Sequence, residues 1–212
     1  PPQYTFDQIK GDITRLLKGE KQKKKHAEII AKIKKEKKVK ILLQAPVAPK
    51  VDLNIAEYPV KGNKSAKVTI VEFADYQCPH CQEAGKVIRR VMKKFKNKTK
   101  LVFVDFPINR SGISKLVAQG AYCANQQGKY WEYHELAYST QKTLKKESPA
   151  ELAKKVGLDN KKFDACFKSK KPLALVEKAK AEGDRVGVGG TPTIYVNGRK
   201  IHGYDESALE NA

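Results

Sequence analysis

The chain has 212 residues, 40% hydrophobic and 31% charged, and its 43 lysines and arginines outweigh 23 aspartates and glutamates for a formal net charge of +20. That length holds one sizeable domain plus an appendage. No run approaches the ~18 apolar residues of a membrane-spanning helix, and the positive charge is spread over the chain as lysine without interleaved aromatics, so composition points away from a transmembrane helix and from a nucleic-acid partner.

The chain opens on Pro1-Pro2 with neither an initiator Met nor a hydrophobic leader, which reads either as a processed chain or as a recombinant product; a mature chain would have lost its signal peptide. From Tyr4 to about Lys18, Phe6, Ile9, Ile13, Leu16 and Leu17 recur at helical spacing with Asp7 and Asp12 in the early turns, predicting a short amphipathic helix. Gly19 reads as its interruption. In the lysine-rich segment that follows, Ala27, Ile30 and Ile33 prolong the apolar stripe while Lys23, Lys24, Lys25, Lys34 and Lys35 stay wet. Such a stripe needs a cover. It packs on its own domain or joins protomers, and the heptad-like spacing from Phe6 through Leu16 favours self-association, although Glu20 and Lys23 break the seam.

Val39 to Leu43 reads as a short strand and Pro46-Val47-Ala48-Pro49 as a stiff, extended linker. The expected organisation is a helical arm over 1–43, a linker and entry over 44–66, and a catalytic domain over 67–212. A turn at Lys61-Gly62-Asn63 leads into a strand from Lys67 to Phe73, which runs on through Asp75-Tyr76-Gln77 to Cys78-Pro79-His80-Cys81. Apolar positions at helical spacing then predict a helix from Pro79 to about Lys96, followed by a strand from Lys100 to Phe106 that Pro107 stops. Between 111 and 185 no strand pattern appears, and Leu116, Tyr122, Leu136, Leu152, Val156 and Val176 mark successive helices. Thr193 to Val196, an Asn197-Gly198 turn and Arg199 to His202 form a closing hairpin, with a last helix near Asp205.

The Cys-x-x-Cys pair carries the chemistry. Placed where a strand hands over to a helix, Cys78 faces unpaired backbone N–H groups and the positive end of the helix dipole, which stabilise a thiolate, the species that attacks disulfides. Cys78 is the candidate nucleophile and Cys81 the resolving thiol. A zinc site would need a second close pair, and Cys123 and Cys166 are not spaced as one. An imidazolium at His80 would lower the Cys78 pKa and make the disulfide a better oxidant. His26, His134 and His202 read as structural or exposed.

From about Val39 onward the chain resembles the DsbA-like thiol–disulfide oxidoreductases of the thioredoxin superfamily. The resemblance rests on Glu72-Phe73-x-Asp75-Tyr76-x-Cys78-Pro79-His80-Cys81, on Gln127-Gly128-Lys129-Tyr130-Trp131 with His134, and on Gly190-Thr191-Pro192-Thr193. It implies an α/β protein: a thioredoxin fold with a helical insertion, about 111–185, between the second and third core strands, here preceded by the N-terminal arm. It further implies a cis peptide at Pro192 facing the redox pair, a backbone at Thr191 that pairs with substrate, and a buried acid at Glu72 that relays the Cys81 proton. Cys123 and Cys166 lie in two helices of the insert. They form a structural disulfide, worth about 4 kcal/mol in the chain-entropy model, or remain two buried thiols; the bridge is the preferred reading.

The implied substrates are unfolded or misfolded secreted proteins in a periplasm, with a membrane redox partner that reoxidises or reduces the site. No cofactor is implied, since the cysteines hold the redox equivalents. Pro79-His80 resembles the dipeptide of oxidases, whereas Thr191 before Pro192 resembles isomerases and reductases; extensions like this arm hold some isomerases of the family as dimers or trimers. The alternative is a non-enzymatic periplasmic chaperone or binding module that uses the basic arm.

Overall fold

The structure is a computed structural model, and it describes residues 4–37 and 48–212. The chain divides into two compact units, residues 1–47 and 48–212. The expected strand from Val39 to Leu43 and the Pro46-Val47 half of the linker lie outside the described residues.

The first unit carries one helix, α1 (Phe6–Glu36), 31 residues long. It begins where the Thr5 backbone amide donates to the Gln8 side chain at 2.7 Å, with Asp7 in the first turn and Lys34 and Lys35 in the last, the charges that complement a helix dipole. It runs through Gly19, where a break was expected: an interior glycine costs about 1 kcal/mol relative to alanine, and the lysines, glutamates and glutamine around it are good helix formers. None of its residues is buried, and Phe6, Leu16 and Leu17 are each 60% exposed or more.

In the second unit five strands, β1 (Val60–Gly62), β2 (Val68–Ala74), β3 (Thr99–Asp105), β4 (Thr193–Val196) and β5 (Arg199–Lys200), form one sheet in the order β1-β3-β2-β4-β5. β2 and β3 are parallel and the other pairs antiparallel. A parallel neighbour requires a crossover, and α2 (Pro79–Lys94) supplies it. Ala84, Ile88 and Val91 of α2 are buried at helical spacing against Ile70, Leu101, Ile194 and Val196, with Leu209 of α8 (Glu206–Glu210) beside them. β1 stands where only a turn was expected. Three residues on a sheet edge are too short to show an alternating pattern, and Gly62 ends the strand at φ +95°.

The other face of the sheet is covered by the insert: α3 (Ile113–Gln126), α4 (Tyr130–Ser139), a 3-10 turn (Gln141–Thr143), α5 (Ser148–Lys155), α6 (Asn160–Lys168) and α7 (Lys171–Arg185). Gly183 lets α7 approach closely, since a β-carbon there would lie 2.5 Å from the Phe106 ring. Cys123 of α3 and Cys166 of α6 are joined by a disulfide. The entry segment also belongs to this unit from Ala48: its carbonyl accepts from Arg199, the Val51 amide donates to the Gly198 carbonyl at 2.9 Å, and the Asn54 amide donates to Glu182 at 2.7 Å.

Candidate active site

β2 delivers the chain to a tight loop, Asp75 to Gln77, and Cys78 is the N-cap of α2. Pro79 takes the first helical position, where its fixed φ fits and its missing N–H would have had no partner. The Cys78 carbonyl accepts from the Cys81 amide at 3.1 Å and the Gln82 amide at 3.4 Å, closing the first turn. Both cysteines are free thiols; Cys78 is half-buried and Cys81 buried.

Opposite the pair lies the loop before β4, with a cis peptide bond between Thr191 and Pro192. The Cys78 thiol donates to the Thr191 carbonyl at 3.3 Å. The Cys78 pKa is pulled down to about 5, first by a hydrogen bond from the Cys81 thiol, then, against the opposing effect of burial, by the Thr191 side chain and the backbone amides of Cys81 and His80. Burial pushes the Cys81 thiol far up, and its hydrogen bond to Cys78 adds to the effect. One sulfur is thus an anion at neutral pH while the other keeps its proton. His80 acts on Cys78 through its backbone. Its exposed ring was expected to stabilise the thiolate, yet the Nδ1 atom is 2.9 Å from the hydroxyl of Tyr204, a residue of the segment between β5 and α8 that local sequence could not bring into view.

Glu72 is 2% exposed. Without the family resemblance an alternating strand would have put it in water, but β2 is covered on both faces, and Glu72 shares the α2-facing side with Ile70. With Cys81, Gln82, Arg89, His134 and Tyr138 it lines a cleft of about 210 Å³. Burial raises its pKa to about 8; Arg89 opposes the rise and Cys78 adds to it. His134 is buried against Tyr76, its Nδ1 3.2 Å from the hydroxyl, and burial lowers its pKa to about 3. It is a structural, neutral imidazole.

A second buried acid, Asp105 at the end of β3, went unnoticed in the sequence; burial, then the charge of Asp75, raises its pKa to about 8. Two acids that stay protonated when folded, but would ionise near 4 when unfolded, make the folded state bind more protons between those values, so stability falls as pH rises through the window. His134 acts in the opposite sense below about 6.5, and a low Cys78 pKa does so between about 5 and 8.5 in reduced protein. Urea unfolding of the oxidised protein from pH 6.5 to 8 isolates the acids. Stability should fall by about 1.4 kcal/mol per pH unit for each acid still protonated, and Asp105→Asn should remove its share; a flat profile in the wild type would show that both acids are ionised.

Sequence reasoning also missed the residues that hold the loop. The Asp75 carboxylate accepts from the Gln77 amide at 2.7 Å, the Ile108 amide at 2.7 Å, the Asn109 amide at 2.9 Å and the Ser114 hydroxyl. From the insert, the Tyr138 hydroxyl donates to the Asp75 carbonyl at 3.3 Å, and the Gln141 amide donates to the carbonyls of Tyr76 and Cys78, both at 2.9 Å. Only Asp75 lay within a recognisable motif. His80, Thr191, Pro192, Lys200, His202 and Tyr204 are among the residues that line a depression of about 480 Å³. Among the described residues no cluster of three or more His, Cys, Asp or Glu is placed for a metal, and no helix is long and apolar enough to cross a membrane.

A family model described as thioredoxin matches residues 56–211. BdbD from Bacillus subtilis is 25% identical with a TM-score of 0.69, over 78% of this chain and 96% of its own. A thioredoxin-like oxidoreductase from Silicibacter pomeroyi is 28% identical with a TM-score of 0.65, over 74% and 91%. The thiol-disulfide exchange protein alpha-DsbA2 from Wolbachia pipientis is 26% identical with a TM-score of 0.63, over 74% and 85%. Among curated relatives, the Na(+)/H(+) antiporter NhaA 1 of Salinispora arenicola is 32% identical over 175 residues, 80% of this chain but 25% of that protein. The chain spans about a quarter of the length of the curated relatives it matches.

Proposed function

The chain belongs to the thioredoxin family, among the DsbA-like thiol–disulfide oxidoreductases, and on that premise we propose that it exchanges disulfides with folding secreted proteins at Cys78-Pro79-His80-Cys81. The observation that carries the reading is the contrast between the two sulfurs: Cys78, half-buried at a helix N-terminus, drawn down to about 5, and Cys81 buried and held as a thiol.

In the oxidising direction a client thiolate attacks the Cys78 sulfur of the Cys78–Cys81 disulfide, forming a mixed disulfide and releasing Cys81, which takes up a proton relayed by Glu72. A second client thiolate attacks the client sulfur and expels Cys78 as thiolate. The client dithiol has lost two electrons and two protons, and the pair has gained the electrons. In the isomerising direction reduced Cys78 attacks a wrong client disulfide and is expelled when the client rearranges. A stabilised leaving thiolate favours oxidation. The depression beside Thr191 and Pro192 takes the client backbone, and a membrane redox partner in an extracytoplasmic compartment resets the pair. Oxidation of a dithiol peptide and refolding of scrambled ribonuclease, run side by side, test the reading: turnover in either supports it, and activity in neither overturns it.

The exposed apolar residues of α1 favour a second element, self-association of the arm as a dimer or trimer. Deleting residues 1–43 should then give a monomer by light scattering that still oxidises a dithiol peptide, a one-site reaction. Isomerisation should fall, because it gains from several sites at high effective concentration around one client. Leu16→Asp with Leu17→Asp should do the same by placing charge in the seam. An intact chain that is monomeric at micromolar concentration would end this part of the proposal. If client folding were still assisted after Cys78→Ser, the non-enzymatic chaperone would take its place.

A further inference from the structure

We propose that Gln141 is a positioning residue of the redox site, through which the helical insert sets the stability of the Cys78 thiolate. The inference rests on the exchange reading above. Gln141 opens the 3-10 turn between α4 and α5 and is only 9% exposed. Its Nε2 atom donates to the carbonyls of Tyr76 and Cys78, both at 2.9 Å, so one carboxamide spans the three residues that end at the nucleophile.

Two physical effects follow. The carbonyl oxygens of Tyr76 and Cys78 carry partial negative charge within two residues of the nucleophile, and N–H donors placed on them draw that charge away, favouring the anion. The same bonds fix the Tyr76–Gln77 peptide plane and the Cys78–Pro79 plane that leads into the helix. That holds the His80 and Cys81 amides, which act on the sulfur, in their places. Other groups of the insert grip the same loop further upstream, Ser114 at the Asp75 carboxylate and Tyr138 at the Asp75 carbonyl. Gln141 reaches the nucleophile's own backbone. An insert attached at these points is part of the redox site rather than a lid over it.

Gln141→Leu keeps the volume and removes both donors, and Gln141→Glu sets a carboxylate against the two carbonyls. The Cys78 thiolate titration, followed at 240 nm on reduced protein, should show a roughly tenfold weaker acid in Gln141→Leu and a weaker one still in Gln141→Glu. The equilibrium with glutathione should shift by a similar factor toward a less oxidising pair, while Cys123–Cys166 stays closed. Gln141→Met serves if the leucine variant does not fold. Folded variants whose Cys78 midpoint and glutathione equilibrium stay within twofold of wild type would overturn the inference, even if they melt earlier, since that leaves Gln141 a packing residue. A wild-type midpoint at an ordinary thiol value would strike the exchange reading itself, and this inference with it.

Discussion

Cys78→Ser should reduce disulfide exchange to the uncatalysed background, whereas Cys81→Ser should leave the attack intact and trap its product. A serine hydroxyl cannot form the mixed disulfide or hold the two electrons, and the neighbours that draw the Cys78 sulfur down to about 5 cannot ionise an alcohol at neutral pH. With Cys78 present and no resolving sulfur, the client stays covalently attached. Non-reducing gels after incubation with a reducible client should therefore show a persistent adduct for Cys81→Ser and none for Cys78→Ser. An adduct on the Cys78→Ser protein would move the nucleophile to Cys81, against its burial and raised pKa.

The second large effect is on stability. Cys123 and Cys166 close a loop across 43 positions, tying α3 to α6. Replacing both with alanine should cost about 4 kcal/mol in the chain-entropy model, with the Cys78 chemistry retained while the protein remains folded. Urea unfolding of the oxidised wild type and the double variant measures it directly; a difference under about 1 kcal/mol would mean the bridge does not restrain the unfolded chain. Graded reduction should open Cys78–Cys81 first, because a pair whose reduced form is stabilised has the higher potential. Alkylation of Cys123 before any reductant is added would contradict the bridge itself.

The strand, the Cys-x-x-Cys pair and the helix after it were legible because each follows a local rule: a β-rich run, then Ala84, Ile88 and Val91 at helical spacing behind the redox motif. The insert was legible as helices for the same reason, and the closing hairpin from its Asn-Gly turn. What stayed hidden depends on tertiary neighbours. Glu72 is indistinguishable from an exposed strand residue until both faces of β2 are known to be covered. The partner of the His80 ring, Tyr204, lies 124 positions away, and Gln141 reaches Cys78 across 63. Neither pairing leaves a pattern in the chain. β1 was missed because its three residues are held by pairing with β3 rather than by any preference of their own.

The account depends on a thiolate at Cys78, and the Cys81 thiol is the group that stabilises it most. Cys81→Ala protein should therefore titrate higher than wild type, though still below the ~8.5 of a free thiol, which makes the reduced wild-type protein the proper sample. Its Cys81 does not ionise in the accessible range, so absorbance at 240 nm between pH 3 and 9 follows Cys78 alone. A single inflection near 5 is the predicted result; a midpoint near ~8.5, the value of an unassisted thiol, would contradict the assignment of Cys78 as the activated nucleophile.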